Sequence, residues 1–525
     1  MSFWQAHLVV LPVVLPLAAG ALMLLFDEGR YALKAAISVA ATLALVAAAI
    51  ALARLADAGA VHVYRLGDWP APFGIVLVAD RLSAVLVLLA SALGFAALVF
   101  SLARWSRAGP RFHALFQFLL MGVNGAFLTG DLFNLFVFFE VFLAASYGLA
   151  LYGSGAARVR AGLHYIAVNL TASLLFLIGA SLLYGITGTL NMADLAVRVP
   201  AVAAGDRMLL EAGAAILGIA FLVKAGMWPL GFWLPGTYAA ASAPAAAVFA
   251  ILTKVGVYAV LRVSLLVFGA EAGASAGFGG DWLVLGGMLT LAFGVIGMLA
   301  AQELSRLAAF SLLVSSGTLL AAIGTGGVAV TGAALYYLVV STLGVGAFFL
   351  LIELVERGRA PGANVLAVTA EAFGLGDADG EIPAEEVVGI AIPAAVGVLG
   401  VTFACCALLL AGLPPLPGFI AKFALLAALL DPDPISAAAW SLLVLLTVSG
   451  LAATIATARA GVRIFWASPE RSVPRVAVIE MAPVVLLLAL CAGLTVQAGP
   501  AMRYLQDTAQ SLHAPRGYIE GVLAR

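Results

Sequence analysis

Three lysines lie inside apolar segments, and their chemistry is the most informative feature of this sequence. The chain has 26 basic residues, only four of which are lysines, and Lys224, Lys254 and Lys422 fall within long apolar runs. The arginines are expected at the ends of these runs and in the connections between them. A lysine in apolar surroundings can release its proton near neutral pH, whereas an arginine stays protonated. The pattern predicts that these lysines exchange protons; the alternative is a structural role, with the amines paired or reaching the surface.

One carboxylate is predicted to lie at a comparable depth. Glu140 follows Asp131 by nine residues, which is about 13.5 Å along a helix. An unpaired charge in hydrocarbon is costly, so Glu140 should have a lysine partner, and Lys224 is the candidate. Each member of such a pair changes the proton affinity of the other, which would make it a switch; a static ion pair is the alternative. Asp131 is predicted to mark the mouth of this helix.

Several polar residues are candidate accessory groups. Ser315 and Ser341 are predicted on neighbouring helices, where they could order water between lysines or simply bond the helices together. His164 is expected at a helix end, where it could supply protons. The three cysteines and five histidines show no spacing typical of iron–sulfur, zinc or haem binding. No metal or cofactor site is therefore predicted.

Membrane-spanning helices are the elements that must position these residues. Of the 525 residues, 64% are hydrophobic and only 10% are charged, against about 45–50% and about 25% in soluble domains. The net charge of −1 gives no indication of a nucleic-acid partner. At about 20 residues a crossing, the apolar runs predict an all-α polytopic membrane protein with about 14 transmembrane helices. The predicted spans are 5–26, 33–54, 76–103, 112–130, 131–153, 161–186, 209–235, 243–268, 281–301, 306–325, 328–356, 387–430, 436–466 and 476–499.

The seventh and twelfth predicted spans are interrupted by helix-breaking residues. Proline removes a backbone donor and clashes with the preceding turn, so each interrupted span should consist of two half-helices. Unwound backbone within a membrane is tolerated only beside protein or water, so the breaks predict a transport path. The interrupting residues are Pro229, Gly231 and Pro235 in the seventh span, and Pro414, Pro415, Pro417 and Gly418 in the twelfth.

The two breaks lie five spans apart, which indicates an internal repeat. We predict a single membrane domain, 1–525, in which three spans (1–111) precede a five-helix repeat (112–268) and an inverted five-helix repeat (281–466). A last span and a C-terminal tail follow (467–525). Arginines are more frequent in the loops after odd-numbered spans, which predicts that these loops face the cytoplasm and that both termini lie outside. The acidic segment 360–386 is predicted to be a solvated cytoplasmic loop.

Three segments resemble a known family of membrane proteins. They are GDLFNLFVFFEVFLAASYGLALYG (130–153), KAGMWPLGFWLPGTYAAASAPAAAVFAILTKVGVYA (224–259) and LLAGLPPLPGFIAKFALL (409–426). These segments are similar to those of the antiporter-like membrane subunits of respiratory complex I and of the multisubunit Mrp cation/proton antiporters. Within that superfamily, the motif GDLFNLFVFFEV and the insert ANVLAVTAEAFG (363–374) most closely resemble the corresponding segments of the D subunit of the Mrp antiporter.

The resemblance implies roles for four of the residues named above. Glu140 would be the functional glutamate of span 5, with Lys224 as its partner on span 7. Lys254 would be the connecting lysine on span 8, and Lys422 the terminal lysine on span 12. Several relatives carry a lysine or histidine on span 11, but no ionisable residue of that kind lies in 336–351 of this sequence. A path between the two halves would have to cross span 11 by water, by Ser341 or by another route.

The function that the resemblance implies is that of a transporter component and not of an enzyme. Protons would move along the buried glutamate and lysines, coupled to the movement of Na⁺ or K⁺ in a neighbouring subunit. The expected partners are the other integral membrane subunits of an Mrp-type complex in the plasma (inner) membrane, with no cofactor. The alternative is the equivalent subunit of complex I or of a related hydrogenase. A self-sufficient solute transporter and a structural scaffold with inert charges are further alternatives.

Overall fold

A computed structural model describes residues 7–70, 73–357, 394–432, 434–465 and 476–524. The acidic segment 360–386 and the insert 363–374 therefore lie outside the described residues, and their predicted roles stay predictions. The described part of the chain consists of helices with one small sheet. In chain order its elements are α1 (Leu11–Leu24), α2 (Tyr31–Asp57), β1 (His62–Arg65), β2 (Val76–Ala79), α3 (Arg81–Ser101), α4 (Phe112–Leu128), α5 (Leu132–Ala150), α6 (Ala156–Thr187), α7 (Met192–Arg198), α8 (Ala204–Ala225), α9 (Trp233–Ala240), α10 (Ala243–Leu266), α11 (Gly280–Ala300), α12 (Leu304–Gly324), α13 (Val328–Glu356), α14 (Ala394–Ala411), α15 (Pro417–Leu430), α16 (Ala437–Phe465), α17 (Val478–Val496), α18 (Ala498–His513) and α19 (Arg516–Leu523).

The helices are those of a multi-span membrane protein. Twelve helices of the described ranges have the length and hydropathy to cross a membrane. Three further apolar helices, α1, α4 and α15, have 14, 17 and 14 residues, at or below the length of a full crossing. The all-α polytopic class is confirmed, whereas the number of fourteen spans stays a prediction.

Both predicted helix breaks are present. The seventh predicted span consists of α8 and α9, separated by seven residues. The described part of the twelfth, residues 394–430, contains α14 and α15, separated by five residues. Each break leaves two half-helices, as expected where proline and glycine interrupt the hydrogen-bonding ladder of an apolar helix.

Helices α10, α12 and α13 form the centre of the molecule. Their membrane-length segments are buried along nearly all of their surface, and α10 packs against α3, α8 and α13. Helices α2 and α17, by contrast, lie at the periphery, and most of their apolar surface is not covered by other parts of the chain. A polar side chain on α10 therefore lies deep within protein and not beside lipid.

The third predicted span, 76–103, begins later than expected. Residues 76–79 form strand β2, which pairs with β1 in an antiparallel hairpin, with His62 opposite Ala79. Helix α3 begins only after Asp80, whose carboxylate accepts a hydrogen bond from the Ser83 amide at 2.8 Å in a capping box. Apolar residues on both faces of β2 made it indistinguishable from the start of the helix by hydropathy.

The predicted C-terminal tail contains two further helices. Helix α18 is amphipathic and packs its apolar side against α13, and α19 follows with Tyr518 and Val522 buried. Their polar faces give them low mean hydropathy, so a search for apolar runs does not detect them.

Candidate functional site

The first helix break ends α8 beside Lys224. Gly226 takes the left-handed conformation, with φ of 78°, that a helix C-terminus commonly requires. Gly231 folds back against it, and a Cβ at Gly231 would lie 2.1 Å from the Gly226 carbonyl oxygen. The Trp233 indole N–H donates to the Val223 carbonyl at 3.3 Å. The same carbonyl accepts from the Gly226 amide at 3.2 Å, so the indole adds a second hydrogen bond at the end of α8.

The second break has the same features around Lys422. Gly412 follows α14 in the left-handed conformation, with φ of 74°. Gly418, in the first turn of α15, approaches α14 so closely that a Cβ would lie 2.4 Å from the Leu409 carbonyl oxygen. A side chain at Gly418 would force the half-helices of the second break apart, and a side chain at Gly231 would clash within the unwound segment of the first. The glycines are therefore required by the close approach of backbone to backbone.

The predicted prolines lie at these breaks, in different positions. Pro229, Pro414 and Pro415 lie in the unwound segments, and Pro417 is the first residue of α15. Pro235 instead lies in the first turn of α9. A proline in the first turn costs no helical hydrogen bond, because the amide there has no partner within the helix.

Lys422 lies across the second break and joins its two halves. Its Nζ donates to the Ala411 carbonyl at 3.1 Å and to the Ser449 hydroxyl on α16 at 3.4 Å. The side chain is only 8% exposed. The amine thus replaces a helical hydrogen-bond donor at the end of α14, and no carboxylate of the described residues forms an ion pair with it.

Lys224 is buried without a hydrogen-bond partner. It lies in the last turn of α8, is 5% exposed, and its Nζ has no partner among the residues that the structure describes. The amine lies 5.3 Å from the centroid of the Phe139 ring on α5, a distance at which the ring attracts a cation. Lys224 therefore has an aromatic neighbour in place of a counter-charge.

Glu140 does not form the predicted ion pair with Lys224. It is half-buried on α5, and its Oε1 accepts a hydrogen bond from the Ser173 hydroxyl on α6. Its charge acts on Lys224 only beyond ion-pair distance. Successive helical residues point about 100° apart, so when Phe139 faces Lys224, Glu140 faces α6. The Phe139 ring takes the place beside the amine that sequence reasoning gave to the carboxylate.

Lys254 is fully buried and bonded to a serine. Its Nζ donates to the Ser315 hydroxyl on α12 at 2.7 Å, and Ser315 Oγ lies 2.9 Å from Ser341 Oγ on α13. Gly256, one half-turn away, packs on α8 so closely that a Cβ there would lie 2.5 Å from the Ala225 amide nitrogen. This contact brings the helix of Lys254 directly against the helix of Lys224.

A small cavity lies between the two serines beside Lys254 and the serine that bonds Lys422. Its volume is about 20 Å³, enough for about one water molecule. The cavity is lined by Ser315 and Ser341 on one side and by Ser449 on the other. Since Ser315 bonds Lys254 and Ser449 bonds Lys422, polar groups and one water-sized space join the two lysines. The series crosses α13 at Ser341, on the helix that carries no lysine or histidine.

The other two candidate accessory residues lie elsewhere. Asp131 caps the N-terminus of α5, where its carboxylate accepts from the Asn134 amide at 2.9 Å. His164 is exposed on α6. The structure therefore assigns Asp131 a local structural contact, and it does not bring His164 to the buried lysines.

Sequence reasoning missed a buried ion pair on α10. Both Arg262 guanidinium Nη atoms donate to the Asp80 carboxylate, at 2.7 and 3.0 Å, between the rings of Tyr258 and Tyr518. The expectation that arginines lie only at span ends and in loops is wrong for Arg262, which is 3% exposed. Its position inside the predicted span 243–268 was the available signal. Its partner is 182 residues away, and nothing in the sequence identifies it.

Comparison with known proteins places this fold in a family. Residues 129–369 match the family model described as NADH:quinone oxidoreductase/Mrp antiporter, transmembrane. Over 535 residues the chain is 61% identical to the D subunit of a probable K⁺/H⁺ antiporter from Rhizobium meliloti strain 1021, covering 100% of this chain and 99% of the relative. It is 36% identical to the D subunit of a Na⁺/H⁺ antiporter from Alkalihalophilus pseudofirmus, covering 98% of this chain and 99% of that one.

A solved structure agrees with these relatives. A chain of the Mrp complex from Dietzia sp. DQ12-45-1b superposes with a TM-score of 0.82 at 27% identity, covering 100% of both chains. A chain of respiratory complex I from Thermus thermophilus, at 22% identity and a TM-score of 0.76, covers 99% of this chain and 100% of its own length, and shares the fold. Full-length similarity to the D subunits of two antiporters is the more specific of these findings. The chain therefore belongs to the family of Mrp antiporter D subunits.

Proposed function

We propose that this protein is a proton-translocating subunit of an Mrp-type monovalent cation/proton antiporter. Protons would move through the membrane along Glu140, Lys224, Lys254 and Lys422. The observation that carries the proposal is the polar series between Lys254 and Lys422, in which hydroxyl groups and a water-sized cavity cross the molecule at its most buried level. A structural scaffold would have no need of such a connection between amines.

The chemistry of the series suits proton transfer. A serine hydroxyl both donates and accepts hydrogen bonds, so it can pass a proton from one neighbour while taking another. An ionisable side chain on α13 would therefore be replaced by Ser341 on that helix, Ser315 on α12 and a water molecule in the cavity. The lysines act as stations at which the proton is held. Lys254 and Lys422 have only neutral hydrogen-bond partners and Lys224 has none among the described residues, so no ion pair keeps them protonated.

The first half of the path requires movement. Glu140 and Lys224 are not in contact, and Phe139 lies beside the amine. Rotation of the Glu140 side chain away from Ser173 would bring the carboxylate toward Lys224 and hold it protonated, and return to Ser173 would release it. The alternation gives this pair the properties of a switch.

Cation movement is proposed to occur in a neighbouring subunit. The relatives named above belong to a probable K⁺/H⁺ antiporter and to a Na⁺/H⁺ antiporter, so Na⁺ or K⁺ is the expected counter-ion. Within the described ranges, no group of three acidic, histidine or cysteine side chains is arranged to hold a metal ion. We further infer that the complex lies in the plasma (inner) membrane with both termini outside, as the arginine distribution suggests.

The test is cation-dependent pH change in everted vesicles that carry the whole complex. We expect a large loss of antiport for Glu140→Gln and Lys224→Ala, and at least a partial loss for Lys254→Ala and Lys422→Ala. Glu211→Gln is the matched control, because Glu211 lies on the same helix as Lys224 but bonds Ser275 near the opposite end. Unchanged antiport in all four variants would refute the proposal. Iron–sulfur or flavin subunits in the purified complex would instead favour a redox assembly.

A further inference from the structure

A large cavity lies at the N-terminal helices, far in sequence from the buried lysines. Its volume is about 670 Å³, and it opens between the α1–α2 turn and the segment that leads into α4. We define the N-terminal cavity by six of its polar lining residues, which are Glu28, Tyr31, Lys34, Arg107, Arg111 and His113. We propose that this cavity binds the anionic phosphate headgroup of a membrane phospholipid.

The charges of the N-terminal cavity favour an anion. Lys34 and Glu28 neutralise each other through an ion pair of 2.9 Å. Arg107 and Arg111 are exposed, and neither forms an ion pair with a carboxylate of the described part of the chain. Two positive charges therefore remain. Guanidinium groups can bind phosphate oxygens through two parallel hydrogen bonds, which makes arginine well suited to this ligand.

Backbone and ring contacts hold these groups around the opening. The Arg107 guanidinium lies 4.5 Å from the centroid of the Tyr31 ring. The Arg111 backbone is left-handed, with φ of 59°, and its amide donates to Glu28 at 3.2 Å. The hydrogen bond from Lys34 lowers the pKa of Glu28, so the carboxylate stays ionised at neutral pH and keeps this arrangement.

His113 is the second, independent indication of a ligand. It is 3% exposed and lines the N-terminal cavity, yet neither ring nitrogen has a hydrogen-bond partner among the described residues. Buried polar groups in proteins are nearly always paired. A phosphate oxygen in the cavity would accept the hydrogen bond that the imidazole N–H cannot make within the chain.

The position of the cavity favours a lipid over a free ion. It lies where α1 ends and where α2 and α4 begin, which is the level at which lipid headgroups meet the helix ends of a membrane protein. Leu24, which also lines the cavity and is half exposed, offers an apolar contact for an acyl chain. Basic pockets between transmembrane helices are sites at which acidic phospholipids bind.

The test measures lipid binding to the purified whole complex, by native mass spectrometry and by thermal stabilisation. The probes are phosphatidylglycerol, phosphatidylcholine and inorganic phosphate. We expect phosphatidylglycerol to bind preferentially, and the double variant Arg107→Gln/Arg111→Gln to weaken its binding about thirtyfold, the loss typical of two basic side chains at an anionic surface. Both guanidinium groups are exposed, so the replacement leaves the core intact.

The matched control is Arg30→Gln/Arg104→Gln, which removes the same charge from the two connections that border the cavity, but from side chains outside its lining. The control should bind phosphatidylglycerol as the wild type does. Equal weakening in both double variants, or equal binding of phosphatidylcholine, would overturn the proposal. Equal stabilisation by inorganic phosphate would show that the cavity binds a free anion, which would also overturn the proposal. The proposal does not rest on the proton path, so either can fail alone.

Discussion

Helix α10 carries two buried cations, and their surroundings differ in kind. Arg262 is held by both oxygens of Asp80 and lies between two tyrosine rings. Lys254, eight residues earlier on the helix and equally buried, has a single serine hydroxyl as its partner. One cation has a full counter-charge, whereas the other has a neutral group.

The difference is the one expected between a structural charge and a charge that is gained and lost. Arginine does not lose its proton in proteins, and a bidentate carboxylate holds it in one geometry. A lysine bonded to a hydroxyl can exist with or without its charge, since the hydroxyl can accept from the ammonium or donate to the free amine. We infer that the Arg262–Asp80 pair holds α3, α10 and α19 together, while Lys254 exchanges protons.

The largest expected effect comes from breaking the ion pair. Asp80→Ala leaves Arg262 buried without a counter-charge, which should destabilise the folded chain by about 3–5 kcal/mol. Thermal unfolding of the purified complex in detergent would measure the loss. The double variant Asp80→Leu/Arg262→Leu should recover most of the stability, since neither charge then remains buried. Equal stability of Asp80→Ala and the wild type would contradict a structural role for the pair.

Replacing Lys254 should produce the opposite result. Lys254→Met replaces the lysine by an uncharged side chain of similar volume and leaves no charged partner behind. The complex should therefore remain as stable as the wild type. Antiport should fall about a hundredfold, the scale on which a positioned proton-transfer group contributes to rate. Vesicle antiport and thermal unfolding on the same preparation would separate the two effects. A destabilised complex with normal antiport per folded molecule would contradict the account.

Ser315 should have an intermediate effect. Ser315→Ala removes the hydroxyl that bonds both Lys254 and Ser341, at a cost of about 1 kcal/mol or about fivefold in rate. Ser316→Ala is the matched control, because Ser316 is buried on the same helix and its hydroxyl has no partner in the described ranges. Antiport that falls equally in the two variants would indicate a packing effect.

The smallest effect concerns the C-terminal helices α18 and α19. Tyr518 on α19 covers the guanidinium group of Arg262. Burial lowers the pKa of His513, whose ring contacts the Thr331 hydroxyl at 3.0 Å. The neutral imidazole is therefore the form that fits the folded state, so stability is complete above the ordinary histidine pKa of about 6.5 and declines as the pH falls below it. The protection factors of the backbone amides in 498–523, which correct for the intrinsic exchange rate, should decrease modestly at pH 5.5 in the wild type but not in His513→Gln. A decrease in protection of the same size in that variant would exclude His513 as the cause.

Local features of the sequence predicted the positions of the breaks and the burial of the three lysines. Proline and glycine act through the backbone itself, so Pro229, Gly231, Pro415 and Gly418 could be interpreted without knowledge of the fold. The candidate bridging residue Ser341 also followed from the absence of an ionisable group on its helix.

Features that depend on distant contacts could not be predicted. Asp80 and Arg262 are far apart in the chain, and only the packing of α3 on α10 brings them together. The orientation of Glu140 toward Ser173 depends on which face of α5 meets α6, and the sequence placed Phe139 and Glu140 side by side without deciding between them. Helix α18 was missed because amphipathic helices lack an apolar run.

The most direct test of proton exchange at Lys254 is antiport in vesicles that contain Lys254→Arg or Lys254→His, compared at equal amounts of assembled complex. Arginine keeps the charge but cannot release a proton, whereas histidine can do so near neutral pH. The account predicts no cation-dependent pH change with arginine and a measurable one with histidine. Antiport that persists in Lys254→Arg would show that a fixed charge is sufficient and would contradict the account.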